Sequence, residues 1–135
     1  MENKTMEDIG DFMTSKVLSV DSEATVQDAI NCMHYNDIGS VLVKDGDEYI
    51  GIVTETVLIR KVLGKRLRPD TTIITSVMTS PVLSLDRYLP VEEANKFMHK
   101  NRIRHLAVTE DEKIVGVLSI KDLVSYFTQD FRMQE

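Results

Sequence analysis

The chain has 135 residues, 42% of them hydrophobic and 28% charged, the make-up of an ordinary folded domain rather than of a fibrous or low-complexity chain. Its net charge of −6 offers no positive field to a polyanion, so nucleic acid is not expected as a direct partner. No apolar run approaches the roughly 18 residues that cross a bilayer. The start "MENKTMEDIGDF" is too acidic for a secretory signal, and the single cysteine, Cys32, fits a reducing compartment, so a cytoplasmic protein without a membrane partner is expected.

In chain order, a short N-terminal helix precedes "KVLSV", a short apolar strand. Val26, Ala29, Ile30 and Met33 then recur at helical spacing, with Thr25 placed to cap that helix. "SVLVK" and "YIGIV" flank the turn "DGDE" and read as a hairpin, and a second helix runs from Thr54 to the neighbourhood of Gly64. After the link "GKRLRPDTT" the order recurs. "PVLSL" is a strand, Val91, Ala94 and Met98 mark a helix whose opening turn suits Pro90, "HLAVT" and "KIVGVL" flank "EDEK", and a last helix starts at Ser119.

The recurrence is a true internal repeat. "FMTSKVLSVDSEATVQDAINCMHYNDIGSVLVKDGDEYIGIVTETVL" lies over "VMTSPVLSLDRYLPVEEANKFMHKNRIRHLAVTEDEKIVGVLSIKDL" without a gap at a constant shift of 65 residues, as in Met13/Met78, Asp21/Asp86, His34/His99 and Gly51/Gly116. The expected fold is α+β, two βαββα repeats assigned to residues 1–66 and 67–135. Each alone would bury too little apolar surface, so the two sheets are expected to pack about a pseudo-twofold axis.

The element order, the "MTS" before each first strand and the phrases "GIVTETV" and "GVLSIKD" before each last helix resemble the CBS domain, and two in tandem resemble a CBS pair, or Bateman module. The resemblance runs from about Met6 to Tyr126 and leaves no room for an attached catalytic domain, implying a stand-alone regulatory module. It implies an adenosine-containing ligand (AMP, ADP, ATP, NAD or S-adenosylmethionine) in the cleft between copies, no required cofactor, a homodimer, and a regulated protein partner.

The residues give this a chemical form. Ser119 and Asp122 have capping-box spacing at a strand-to-helix junction, and the same geometry suits a nucleotide. The first helix amides and the Ser119 hydroxyl can meet phosphate, while the Asp122 carboxylate can accept both hydroxyls of a ribose. Lys121 lies between them. Arg104 and His105 stand where the first copy has Gly39 and Ser40; the resemblance turns such basic residues toward phosphate, and a basic strand edge that discourages aggregation is the alternative. By the same resemblance Thr79, Ser80, Pro81 and Val82, with Ile103 and Leu106, line an adenine slot, though Val82 and Leu106 taken singly read as core.

The copies differ at one position above all. Val57 occupies the place of Asp122 and cannot accept a hydrogen bond, so a weaker first-copy site is expected at Thr54, Val57, Gly39, Ser40, Ser15 and Val17. The cations Arg60, Lys61, Lys65, Arg66 and Arg68 read as a solvated helix end and linker. Cys32 aligns with Phe97 and reads as inert packing, His34 and His99 read as surface or dimer-contact residues, and no metal or catalytic spacing is present. The sequence thus points to a nucleotide-sensing module and not an enzyme; the alternative is a dimerising scaffold that has lost its ligand.

Overall fold

A computed structural model describes residues 7–133; Met6, where the resemblance begins, lies outside them. The α+β architecture is as expected, with the same order of elements in both copies. In the first, β1 (Ser19–Asp21) leads to α2 (Val26–Asn36), β2 (Ser40–Asp45), β3 (Glu48–Thr54) and a short helix α3 (Glu55–Val57). In the second, β4 (Ser84–Asp86) leads to α4 (Val91–Asn101), β5 (His105–Glu110), β6 (Lys113–Ser119) and α5 (Ile120–Met133). A short helix α1 (Ile9–Phe12) opens the described chain. Each copy holds one three-stranded sheet in which the first strand runs parallel to the second and the second antiparallel to the third.

Side-chain periodicity explains the layers. Val26, Ala29 and Met33 of α2, like Val91, Ala94 and Met98 of α4, recur three and four residues apart and are buried. They cover Val41, Val43 and Val53 in the first sheet and Leu106, Val108 and Leu118 in the second. Thr25 caps α2 by accepting the Asp28 amide at 3.2 Å. Pro90 stands one position before the opening turn expected for it, as the residue preceding α4, where its φ of −63° and extended ψ of 148° suit a cap. Both helices end on a left-handed residue, Asp37 (φ 53°) and Arg102 (φ 56°), and the next amides, of Ile38 and Ile103, reach back to Met33 and Met98 at 3.0 Å. Strands β1 and β4 begin later than "KVLSV" and "PVLSL" suggest; of the residues just before them, Leu18 and Leu83 each lend one carbonyl to the same sheet, accepting from Leu42 at 3.1 Å and Ala107 at 3.0 Å.

Further upstream, each copy has a lead-in that packs on the other copy. Ile9, fully buried, belongs to the core of the second copy, where its amide bonds Leu89 at 2.8 Å and Asp8 bridges Pro90. Sixty-five residues on, Ile74 is fully buried in the core of the first copy, its amide bonds Ala24 at 2.8 Å, and Ile73 bridges Thr25. The linker therefore contains the counterpart of α1, a single turn at Ile74–Ser76. It also serves α2, whose first amides, those of Val26 and Gln27, donate to the carbonyls of Thr72 and Pro69. Val17–Val82 make one compact unit, and the segment ending at Lys16 joins Leu83 onward in the other, so the packing units are offset from the sequence repeats divided at residue 66.

The last helices of the two copies differ in winding. After α3 the chain runs through Leu58–Leu63 as an underwound π turn, in which the Gly64 amide bonds the carbonyl of Ile59, five residues back, at 2.8 Å. Its counterpart in α5 is ordinary α-helix. Tyr126 gives the reason: it stacks edge-on against Phe12 at 5.2 Å and donates to Glu92 at 2.8 Å, holding the inward face of α5. The aligned residue is Lys61, which is exposed, and the wider turn brings Val62 into the core instead, at 1% exposure.

The hairpin turns differ as well. Gly46 supplies the positive φ (62°) between β2 and β3, but between β5 and β6 both Asp111 (φ 52°) and Glu112 (φ 67°) are left-handed. A left-handed residue with a Cβ costs about 1–2 kcal/mol, offset in part by the greater freedom that glycine brings to the unfolded chain. Glu112→Gly should therefore raise unfolding free energy by about 0.5–1 kcal/mol in urea titration, and Glu112→Ala should give no such gain.

Candidate functional site

Each copy builds the same backbone frame where its third strand meets its last helix. In the second copy Ser119 ends β6 opposite His105 of β5, and the Ile120 amide donates to the Arg104 carbonyl at 2.9 Å. In the first, Thr54 stands opposite Ser40, and the Glu55 amide donates to the Gly39 carbonyl at 3.1 Å. The frame fixes where the first amides of the helix point, and the side chains decide what they meet.

There the copies diverge. Asp122 Oδ2 accepts both the backbone amide of Ser119, at 2.8 Å, and its hydroxyl, at 3.2 Å. Only half of the expected capping box forms, since the hydroxyl donates to the carboxylate instead of accepting from the helix. Oδ1 takes no hydrogen bond among the described residues. In the first copy the hydroxyl is spent as a cap: Thr54 Oγ1 accepts the Val57 amide at 3.3 Å. Val57 is half-buried and packs against the first-copy core, so a position that holds a polar group in one copy serves apolar packing in the other.

Around Ser119 and Asp122 the structure gathers several expected residues. Arg104 and Lys121 are exposed, His105 is half-buried, and Ile103 packs on the edge of the second-copy core. Leu106 has its side chain within that core at 1% exposure, the reading it has when taken singly, so it offers no free surface to a ligand. Cys32 packs against the first-copy core and Phe97 against the second, while His34 and His99 are exposed. Among the described residues no cluster of histidine, cysteine and carboxylate could hold a metal, and no helix is long and apolar enough to cross a membrane.

The lead-ins are exchanged relative to the sequence reading. Thr79, expected beside Asp122 with Ser80, Pro81 and Val82, makes paired backbone bonds of 2.9 Å with Ile52, two residues before Thr54. Thr14, which the sequence reading omitted, makes the equivalent pair with Val117, two residues before Ser119, at 2.8 and 3.0 Å. Ser15, expected at the first-copy site, follows it in the unit that holds Asp122, whereas Val17 begins the other unit. Each bridge needs a gap at a glycine. A Cβ on Gly116 would lie 2.5 Å from the Met13 sulfur and 2.9 Å from the Thr14 carbonyl oxygen, and a Cβ on Gly51 would collide with Met78. The "MTS" that marked both copies was the available signal, but it seats each lead-in on the opposite copy.

A family model described as the CBS domain matches twice, at residues 9–64 and 74–129. The chain belongs to the CBS-domain family. Its two CBS domains are 31% identical over 118 residues to an uncharacterized protein of Methanopyrus kandleri, covering 86% of this chain and 60% of that protein. They are also 31% identical over 136 residues to a mitochondrial CBS domain-containing protein of Arabidopsis thaliana, covering 92% of the chain and 66% of that relative, so the chain spans about two thirds or less of both. An uncharacterized conserved protein of Pyrococcus horikoshii has the same fold, with a TM-score of 0.84, 29% identity, and coverage of 92% of this chain and 94% of that one. CBS pairs typically serve as regulatory modules for adenosine-containing ligands and not as catalysts.

Filling the gap tests the lead-in. Gly116→Ala must displace both a side chain and backbone, and should cost about 1–3 kcal/mol of stability in chemical denaturation. An unchanged midpoint would show that Met13 and Thr14 are not held by that strand.

Proposed function

We propose that this CBS pair is a regulatory module that binds an adenosine-containing nucleotide at the start of α5 and signals its occupancy to a protein partner. The observation that carries this reading is the contrast at one aligned position: Asp122 is a carboxylate at a helix start with Oδ1 unengaged, and Val57 is a half-buried apolar side chain packed against a core. The ribose diol donates to Asp122. Phosphate lies toward the first amides of α5, where the helix dipole favours an anion and Arg104 and Lys121 add charge. Thr14 and Ser15 take the place assigned from sequence to Thr79 and Ser80 in bordering that ligand, while Thr79–Val82 border the first-copy position.

Loss of a hydrogen bond to a charged group costs about 1.5–3 kcal/mol, or at least tenfold in affinity, so the first-copy position is the weaker of the two. A ligand-free scaffold is favoured by the burial of Val57 alone. The single cysteine accords with a reducing compartment, and a homodimer is the assembly we infer from the family.

Thermal shift with AMP, ADP, ATP, S-adenosylmethionine and NAD separates the two readings. At least one should raise the melting temperature, because a ligand at a hundred times its Kd adds about 2.7 kcal/mol to stability. Asp122→Ala, compared with its own ligand-free melting temperature, should lose most of that increment. No shift with any of the five would leave the scaffold.

A further inference from the structure

Two methionines sit where the lead-ins meet their sheets, and neither is sealed in a core. Met13 and Met78 are half-buried, whereas Met33 and Met98 lie inside the cores at 5% and 2% exposure. Each of the first pair rests on a glycine. A Cβ on Gly116 would lie 2.5 Å from the Met13 sulfur, and one on Gly51 would collide with the Met78 sulfur. The residue that follows makes the bridge: Thr14 pairs with Val117 at 2.8 and 3.0 Å, and Thr79 with Ile52 at 2.9 Å in both directions. The arrangement recurs at the 65-residue shift, so both compact units carry a thioether one residue before the bridge that holds a lead-in.

We propose that Met13 and Met78 are oxidation sites, and that a peroxide converting them to methionine sulfoxide releases each lead-in from its sheet while the cores stay closed. A sulfur lone pair attacks one oxygen of the peroxide and the O–O bond breaks. The sulfur gives up two electrons and keeps that oxygen, and the other oxygen leaves as water or, from an organic peroxide, as the alcohol. The product is polar and chiral where the thioether was apolar. On the glycine side there is no room for the added oxygen, and the backbone carbonyl oxygens of Thr14 and Thr79, which line the same gaps, are acceptors that cannot bond it. The sulfoxide therefore turns to water, and the bridge bonds behind it become exposed.

Plain packing is the competing account, since methionine commonly fills irregular gaps. Two observations favour a switch. The sulfur-bearing side chains are half-buried, and the lead-ins are pinned upstream by Ile9 and Ile74, which are fully buried, so the bridge can open without unfolding the unit. Cys32 cannot serve both copies in this way, because its counterpart is Phe97. A consequence for a nucleotide at Asp122 rests on the function proposed above, in which Thr14 and Ser15 border the ligand; the release itself does not.

The test treats the full chain, free of nucleotide, with hydrogen peroxide and follows each methionine by peptide mass mapping. Met13 and Met78 should take up oxygen about tenfold or more faster than Met33 and Met98, and the difference should vanish in urea. Hydrogen exchange at the four bridge amides, those of Thr14, Val117, Ile52 and Thr79, should then quicken about tenfold or more, with amides inside α2 and α4 unchanged. Methionine sulfoxide reductase should restore slow exchange. Met13→Leu, a volume-conserving change, should keep Thr14 and Val117 protected in peroxide while Thr79 and Ile52 still open. Equal rates at the four methionines, or sulfoxide at Met13 and Met78 with unchanged exchange at the bridges, overturns the proposal. So does exchange that quickens equally inside α2 and α4, which reports unfolding instead of release.

Discussion

The absence of a Cβ at Gly116 and Gly51 is the constraint on which the rest depends. At each position a methionine sulfur and a backbone carbonyl occupy the space that any larger residue would fill. This close approach lets a lead-in form an antiparallel bridge to the last strand of a sheet, and the bridge positions the residues on either side of it. Upstream it carries an isoleucine into the core, Ile9 in one copy and Ile74 in the other. At the bridge and just after it stand exposed hydroxyl residues, Thr14 and Ser15 or Thr79 and Ser80, beside a strand that ends at a helix start. One missing methyl group therefore links core completion to the border of the candidate site.

On that repeated frame the sequence has placed two different chemistries. The backbone bonds before α3 and α5 correspond residue for residue, so the change from Val57 to Asp122 alters what the helix start offers without altering the chain path. The last helices diverge for a related reason. Tyr126 can reach Glu92 and Phe12 and keeps α5 in ordinary winding, whereas Lys61 cannot enter a core, and the turn widens until Val62 does. The second copy carries the polar group of the candidate site, and the first carries an apolar side chain at that position. Two copies of one fold have thus become unlike faces.

Much of this was legible because it follows from periodicity. The order of strands and helices, the buried positions of α2 and α4, the Thr25 cap and the two hairpins all rest on local spacing. The shift of 65 residues makes the Val57/Asp122 contrast visible in the sequence itself. What was not legible depends on contacts distant in the chain. The "MTS" phrases identify both lead-ins, yet nothing in either one states which sheet it joins, so a reading that keeps each lead-in with its own repeat sets Thr79 beside Asp122 and leaves Thr14 out. The π turn was hidden likewise, because Lys61 fits a helix surface until the core behind it is known to need a residue at that level.

The most direct test of the account is an amide-resolved NMR titration of the ¹⁵N-labelled chain with whichever nucleotide stabilises it. Ligand at the Asp122 position should shift Thr14, Ser15, Arg104 and Ser119–Asp122 together, with Thr54–Val57 responding only at higher concentration, on the order of tenfold or more. Shifts that appear first at Thr54–Val57 and Thr79, or equally in both copies, would contradict the claim that the carboxylate at Asp122 determines which copy holds the ligand.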